Sequence, residues 1–421
     1  MSEHSPTPTD ARAPGMVTAQ CCIAGGGPAG MMLGYLLARA GVDVVVLEKH
    51  GDFLRDFRGD TVHPSTLEVM RELGLLEAFL QLPHRKVERL GGQFGERAFV
   101  FADFTTLRTA CPYLVFMPQW DFLDFLAEQG RRYRGFRLMM KTEARGLLER
   151  DGAVVGVRAD TEAGPVTIEA PLVVGCDGRH STIRAAAGLA VRDIGAPMDV
   201  LWMRVSRRPG DGEDILGYFD AGRIFIMINR GDYWQCGFVI PKGTADERRR
   251  RDIAEFRREI LKIVPWLGDR VDELASWNEV SLLTVSLDRL QKWYRKGLLC
   301  IGDAAHAMSP VGGVGINLAI QDAVAAANVL AEPLRDGRVE ESHLLRIQMR
   351  RMWPTVATQA LQRAIQNRVI SRVLAGGTAP RAPFAIRLTD RFAALRGIPA
   401  RVIGIGVRPE HVYARELVPG R

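Results

Sequence analysis

The sequence predicts an α/β protein: a parallel sheet faced by helices, a mostly antiparallel β-sheet inserted into it (an α+β insert), and a helical segment at the C-terminal end. Three observations predict this. Val17 to Lys49 alternates as strand, glycine turn, helix and strand, a βαβ unit. Two later stretches, around Asp177 and around Asp303, repeat the strand–turn–helix pattern with an acid where the strand ends. Between them, residues 195–287 change to short runs of large apolar residues separated by turns, the mark of a second sheet.

In the first unit, Thr18 to Ala24 has little charge, as a buried parallel strand requires. Gly25, Gly27 and Gly30 then occupy the three places of G-x-G-x-x-G, with Pro28 and Ala29 between the last two. The first glycine permits the tight turn, the second lets backbone approach a pyrophosphate, and the third lets the new helix sit against the strand. The helix, Met31 to Ala40, offers free N–H groups and the positive end of its dipole to phosphates, and Gly41 stops it. Val42 to Leu47 is the second strand. It delivers Glu48, followed by Lys49, where a carboxylate can accept from a ribose hydroxyl pair. Strand before, helix after and acid about twenty residues on make this a Rossmann-like dinucleotide site. NAD and FAD both present an ADP half, so this stretch leaves the choice between them open.

The chain of 421 residues is long enough for about two to three domains. Its 47% hydrophobic and 25% charged fractions are those of an ordinary globular protein. No apolar run reaches the length of a membrane span, so no integral membrane segment is expected. Residues 1–16, Pro- and Thr-rich and without the apolar core of a secretory signal, read as a disordered tail. The six cysteines, Cys21, Cys22, Cys111, Cys176, Cys236 and Cys300, form no C-x-x-C pair and lie mostly in apolar runs. They read as buried, reduced residues of a cytoplasmic protein, with no metal site. Much of the net charge of +7 comes from arginines beyond Arg346. They are spaced along helices without aromatic residues to stack on bases, which argues against nucleic acid and for a solvated or subunit-facing surface, in a monomer or homodimer.

Taken in order, the segment after Glu48 carries Arg55 and Arg58 in a loop, then Pro64 at the first turn of a helix with Leu67, Met70 and Leu73 along one side. Residues 86–116 read as short strands. Gln119 opens the next helix, which buries Phe122, Phe125 and Leu126. Asp151-Gly152 marks a hairpin. Leu172 to Cys176 is a buried strand running into Asp177-Gly178. Asp177 suits either a ligand at the sheet's carboxyl edge or the capping of the helix that follows. After the inserted sheet, residues 245–267 form one basic amphipathic helix. Leu298 to Ile301 is a strand ending at Gly302-Asp303, and Pro310 with Gly312, Gly313, Val314 and Gly315 makes a tight loop before a helix from Ile316 to Leu330. These glycines again bare N–H groups toward something negative. His306 reads as a structural loop histidine rather than an acid–base group. Residues 340–374 are helical, and the tail beyond them packs back on the body.

The three motifs GGGPAG, GCDG and IGDAAHAMSPVGGVGINLAIQDA, in this order, resemble the group A FAD-dependent aromatic monooxygenases, which share the para-hydroxybenzoate hydroxylase fold. The resemblance covers most of the chain and implies that Gly25, Gly27, Gly30 and Glu48 hold the ADP half of FAD. It matches Arg58 to a pyrophosphate-binding arginine and Gln119 to a cofactor-contacting position. It assigns Asp177 and Gly178 to a motif serving both FAD and the nicotinamide, and Gly302 and Asp303 to the ribityl chain. Pro310 to Asn317, including Ile316, would lie along the flavin ring, with Pro310, Gly312 and Gly313 at the reaction face and no side-chain acid or base assigned. The implied reaction uses NAD(P)H, bound transiently, to reduce FAD. O2 then gives a flavin C4a-hydroperoxide that hydroxylates a phenolic or natural-product-like aromatic small molecule.

The resemblance divides the chain into an FAD-binding domain of residues 17–85, 112–188 and 280–339, a substrate domain of 86–111 and 189–279, and a C-terminal helical region of 340–421. Met203, Tyr218, Phe225, Met227, Trp234 and Phe238 are the candidate pocket residues on the substrate sheet. Only a loose echo of a halogenase motif appears, and the chain lacks the extra C-terminal domain of the larger phenol hydroxylases. The alternatives are a flavin-dependent reductase of an isoprenoid double bond and a non-catalytic flavin-binding sensor or assembly protein.

Overall fold

The structure, a computed structural model, describes residues 15–54, 61–212, 217–376 and 380–417. Arg55, Arg58 and nearly all of the expected N-terminal tail lie outside the described residues. Met16 lies inside them and opens the strand Met16–Thr18.

The first motif folds because its strands have no polar side chain to solvate. Cys21–Ala24 and Val44–Leu47 are buried along their whole length. They belong to a six-stranded sheet in the order Tyr294–Arg295, Leu298–Cys300, Leu172–Gly175, Cys21–Ala24, Val44–Leu47, Phe136–Met139. Five of these strands run parallel, and only Tyr294–Arg295 is antiparallel. The register sets Ala24 beside Gly175 and Leu47, and Gly175 beside Cys300. Three motifs far apart in sequence therefore leave the sheet side by side at one carboxyl edge.

Both faces of this sheet are covered, which is why its strands read as continuous apolar runs. Cys21, Ile23, Val44 and Val46 point to a helical layer that includes Pro28–Arg39, Gln119–Arg131 and Gly315–Arg335. Cys22, Ala24, Val45 and Leu47 point to a four-stranded sheet of Met16–Thr18, Gly164–Glu169, Ala153–Thr161 and Glu143–Arg150. The hairpin at Asp151-Gly152 turns with φ of 51° and 73° at the two residues, as a two-residue turn of this kind demands. All six cysteines are free and buried.

The inserted sheet has seven strands, in the order Ser281–Leu283, Met198–Ser206, Tyr233–Pro241, Arg223–Asn229, Gly217–Asp220, Arg89–Phe94, Arg97–Asp103. It is antiparallel except where Gly217–Asp220 pairs with Arg89–Phe94. It extends to Leu283, past the boundary expected at 279. The basic stretch after it is two helices, Ala245–Arg249 and Ile253–Ile263, not one. Asp252 breaks it by capping the second, accepting from the Ala254 N–H at 2.9 Å.

Among the described residues one helical segment, Val311–Arg335, is long and apolar enough by length and composition to cross a membrane, which the sequence reading did not anticipate. It is mostly buried inside the protein, 78% of its most apolar 18-residue window being covered, and it packs on Pro28–Arg39 and Glu341–Ile365. Glu341–Ile365 continues through a π-turn, Gln366–Ile370, into Ser371–Ala375. The tail helices Phe384–Arg391 and Gly397–Gly404 pack on the strand Arg97–Asp103.

Candidate active site

A cavity of ≈ 440 Å³ runs from the first glycine turn, along the carboxyl edge of the parallel sheet, to one face of the inserted sheet. At its first end, Gly25 has φ 108° and sits so close to the next strand that a Cβ would lie 2.4 Å from the Cys176 carbonyl oxygen. A Cβ on Gly30 would lie 1.9 Å from the Gly25 oxygen. Gly27 is the opposite case: a Cβ there would meet nothing within 4 Å. Gly25 and Gly30 thus close-pack strand and helix, while Gly27 leaves room at the start of Pro28–Arg39. Among the described residues no side chain caps that start. Gly25, Gly27, Pro28, Ala29, Glu48, Lys49 and Gln119 line this end, and Gly30 lies behind it. Glu48 is buried, its carboxylate accepting from the N–H groups of Gly26 and His50 at 3.2 and 3.0 Å.

Along the middle, Asp177, Gly178 and Asp303 line the cavity. Asp177 caps the short helix Thr182–Ala186, accepting from the Ser181 hydroxyl and from the Ile183 N–H. Burial pushes its carboxyl above the ordinary aspartate value, with Ser181 and the helix amides pulling the other way. Asp303 is part-exposed and stands 3.7 Å from Arg179. Gly302 lies behind, its N–H donated to Asp322 at 3.1 Å.

The far loop is Pro310 to Gly315. Pro310, Gly313, Gly315 and Ile316 line the cavity, and Gly312 and Val314 shape the turn behind them, with φ of 81° at Gly312 and 62° at Gly313. Again no side chain among the described residues caps the helix that follows, Gly315–Arg335. Two helices therefore aim uncapped, positive N-termini into one cavity. Asn317 is turned away from it. Its Oδ1 accepts from the His63 N–H at 2.9 Å and the Thr66 hydroxyl at 2.7 Å, and its Nδ2 donates to the Thr61 carbonyl. Its side chain ties the loop to residues 61–66.

His63, which sequence reasoning passed over, lies beneath that loop. Its Nδ1 is 2.7 Å from the Ile403 carbonyl, which makes Nδ1 the protonated nitrogen, and its buried Nε2 has no partner among the described residues. Burial pushes its pKa down to about 4, against the raising effect of the Ile403 bond. From the outside, Gln362 donates to the carbonyls of Ser309 and Val311, and Gln366 to the Ser309 hydroxyl. Gln359 donates to Asp288 and Ala307. The spacing of these glutamines, three and then four residues apart, is the signal that puts them on one helix face.

His306 does not reach the cavity. It is buried against Asp322, which Arg351 also holds at 2.8 Å, and Arg351 continues to Glu410 at 3.3 Å. Burial raises the Asp322 pKa, but the charges and hydrogen bonds of His306 and Arg351 outweigh it and hold the carboxyl below its ordinary value.

The six expected pocket residues all face elsewhere. Met203, Tyr218, Phe225, Met227, Trp234 and Phe238 form one buried cluster with Phe256 and Ile260 of the helix behind the sheet. The cavity is lined by their opposite-facing neighbours, Trp202, Ile228 and Gln235, with Leu283 and Met308. Side chains alternate along a strand, so the residues one step away in register are the ones that look toward the cavity.

These residues fit FAD. The room at Gly27, the buried Glu48 and the second uncapped helix suit, in turn, a pyrophosphate, a ribose and the electron-rich edge of a flavin. Comparison with known proteins agrees. A family model described as an FAD binding domain matches residues 18–364. A 6-methylpretetramide 4-monooxygenase of Streptomyces rimosus is 33% identical over 385 residues, covering 90% of this chain and 91% of that protein. A rifampicin monooxygenase of Streptomyces venezuelae is 29% identical over 310 residues, 72% of this chain, which spans only 61% of that protein. Among solved structures, PqsL of Pseudomonas aeruginosa, a probable FAD-dependent monooxygenase, shares the fold with a TM-score of 0.73 at 23% identity, covering 85% of this chain and 98% of that one. With its cavity, its glycine turns and these relatives in agreement, the chain belongs to the FAD-dependent aromatic monooxygenases of the para-hydroxybenzoate hydroxylase type.

Proposed function

We propose that the protein hydroxylates a multi-ring, natural-product-like aromatic molecule, drawing electrons from NAD(P)H and oxygen from O2, in the cytoplasm. The observation that carries the proposal is the cavity's continuity. It runs past two helix N-termini suited to FAD and ends on a largely apolar sheet face suited to a flat substrate. The relatives named for 6-methylpretetramide and rifampicin support the multi-ring class. Six buried free thiols support a reducing compartment.

When bound, FAD supplies the redox and oxygen chemistry. The chain's own residues bind and orient. Gly25, Gly27 and the helix start receive the pyrophosphate, and Glu48 the ribose. Asp303 would hold the ribityl chain. Gly315 and Ile316, at the second helix start, would offer amides to the ring edge that carries negative charge on reduction. Trp202, Ile228 and Leu283 exclude water from the substrate side. The glycine turn is committed to FAD, so NAD(P)H binds transiently in this scheme. To test the proposal, the purified chain is reconstituted with FAD and its NAD(P)H oxidation is followed with and without multi-ring phenols. Stimulation by a phenol is the expected result. A chain that binds no flavin overturns the proposal.

A further inference from the structure

Among the described residues of the inserted sheet that line the cavity, Gln235 is the one hydrophilic side chain, the others being Trp202, Ile228 and Leu283. It is 5% exposed and sits across from Ile228 in the sheet register. Its amide oxygen is already committed, because Arg230 Nε donates to Oε1 at 2.9 Å. A guanidinium carries only donors, so it can face only the oxygen end of a carboxamide, and this settles which way the amide points. Arg230 is itself steadied over the Phe116 ring, 6.0 Å from its centroid. The Gln235 nitrogen is left with two N–H donors, on the cavity side, that no acceptor on the described residues takes. Among the described residues no charged side chain of this sheet face lines the cavity, and the Arg230 guanidinium is engaged with the Gln235 oxygen, so a carboxylate there would meet an amide in place of a direct cation.

Resting on the proposed monooxygenase reading, we infer that Gln235 is the specificity-determining residue of the cavity. Locked by Arg230, its amide N–H groups receive a carbonyl or phenolic oxygen of a neutral, multi-ring aromatic substrate lying against Trp202 and Ile228. A molecule without that oxygen leaves the N–H groups buried and unpaired, which is how such a site rejects it. Arg230 acts as a positioning residue, through Gln235.

The test is calorimetric titration of the FAD-loaded protein with 1,8-dihydroxyanthraquinone, a neutral three-ring probe, and with 4-hydroxybenzoate, a single-ring carboxylate. The expected results are tighter binding of the anthraquinone and a Kd raised about tenfold by Gln235→Leu. Gln235→Asn recovers part of the loss. Arg230→Met weakens binding, and the double variant Gln235→Leu/Arg230→Met is no weaker than Gln235→Leu alone, because both act through one contact. Equal flavin content and Tm across the variants show that fold and cofactor site are intact. A Kd unchanged within about twofold in Gln235→Leu, additive losses in the double variant, or equal binding of 4-hydroxybenzoate overturns the inference. So does a wild type that holds FAD but takes no anthraquinone, a result that leaves the flavin reading standing. A chain that holds no FAD overturns both.

Discussion

At the scale of single residues, the glycines of the first turn were legible because each position answers one steric demand. A Cβ at Gly30 would stand 1.9 Å from a backbone oxygen that cannot swing aside. Gly30→Ala is therefore expected to yield protein with little or no bound FAD, read from flavin absorbance per chain, and full flavin content would contradict this. His63 was not legible, since nothing in its neighbourhood of sequence announces burial. Its folded pKa lies at about 4, below the ordinary 6.5. The unfolded chain thus takes up a proton that the folded one refuses. The stability His63 carries is fully present above 6.5 and is lost as the pH falls toward 4, by about 3 kcal/mol in all. Denaturant unfolding across that window should show this loss in the wild type and not in His63→Gln. Equal slopes in both would sink the assignment.

Elements were easier to find than to orient. The residues Met203, Phe225, Met227, Trp234 and Phe238 do share one face, as the period of two requires, but that face is buried by Phe256 and Ile260 of the helix behind it. Which side faces the cavity is decided by where that helix packs, a long-range contact invisible in local pattern. Two substitutions separate the faces. Phe225→Ala should cost about 3–5 kcal/mol of stability and leave the Kd of a bound substrate alone. Ile228→Ala should weaken substrate binding at a smaller cost in stability. The reverse pattern would place the cavity on the wrong side. The glutamines that clamp the loop 307–311 were hidden for another reason: a polar stripe on a helix ordinarily means solvent, yet Gln359, Gln362 and Gln366 are buried. The split of the basic stretch at Asp252 was readable in principle, an aspartate two residues before the capped amide.

For the whole molecule, the layered plan was legible because three strand–turn–helix segments end alike, and parallel strands of similar length end at one edge. The register that sets Ala24, Gly175 and Cys300 in a row does the rest, joining sites nearly three hundred positions apart. What holds the helical layer to that edge is a buried charge network the sequence concealed, because its members come from four segments: His306, Asp322, Arg351 and Glu410. Arg351 and Asp322 are 1% and 0% exposed. Removing the cation takes a partner from two buried carboxylates, leaving Asp322 to His306 and Glu410 to Arg350, so Arg351→Met is expected to destabilise the protein by about 3–5 kcal/mol; a loss below about 1 kcal/mol in denaturant unfolding would show that the network is solvated instead.

If this cavity places a flavin's oxygen chemistry against an aromatic substrate, isotope incorporation will show it. The FAD-loaded protein is supplied with NAD(P)H, a multi-ring phenol that stimulates its oxidation, and 18O2, and the product is weighed by mass spectrometry. One 18O atom is expected in each product molecule. A product reduced without added oxygen, or one whose new oxygen comes from water, would contradict it.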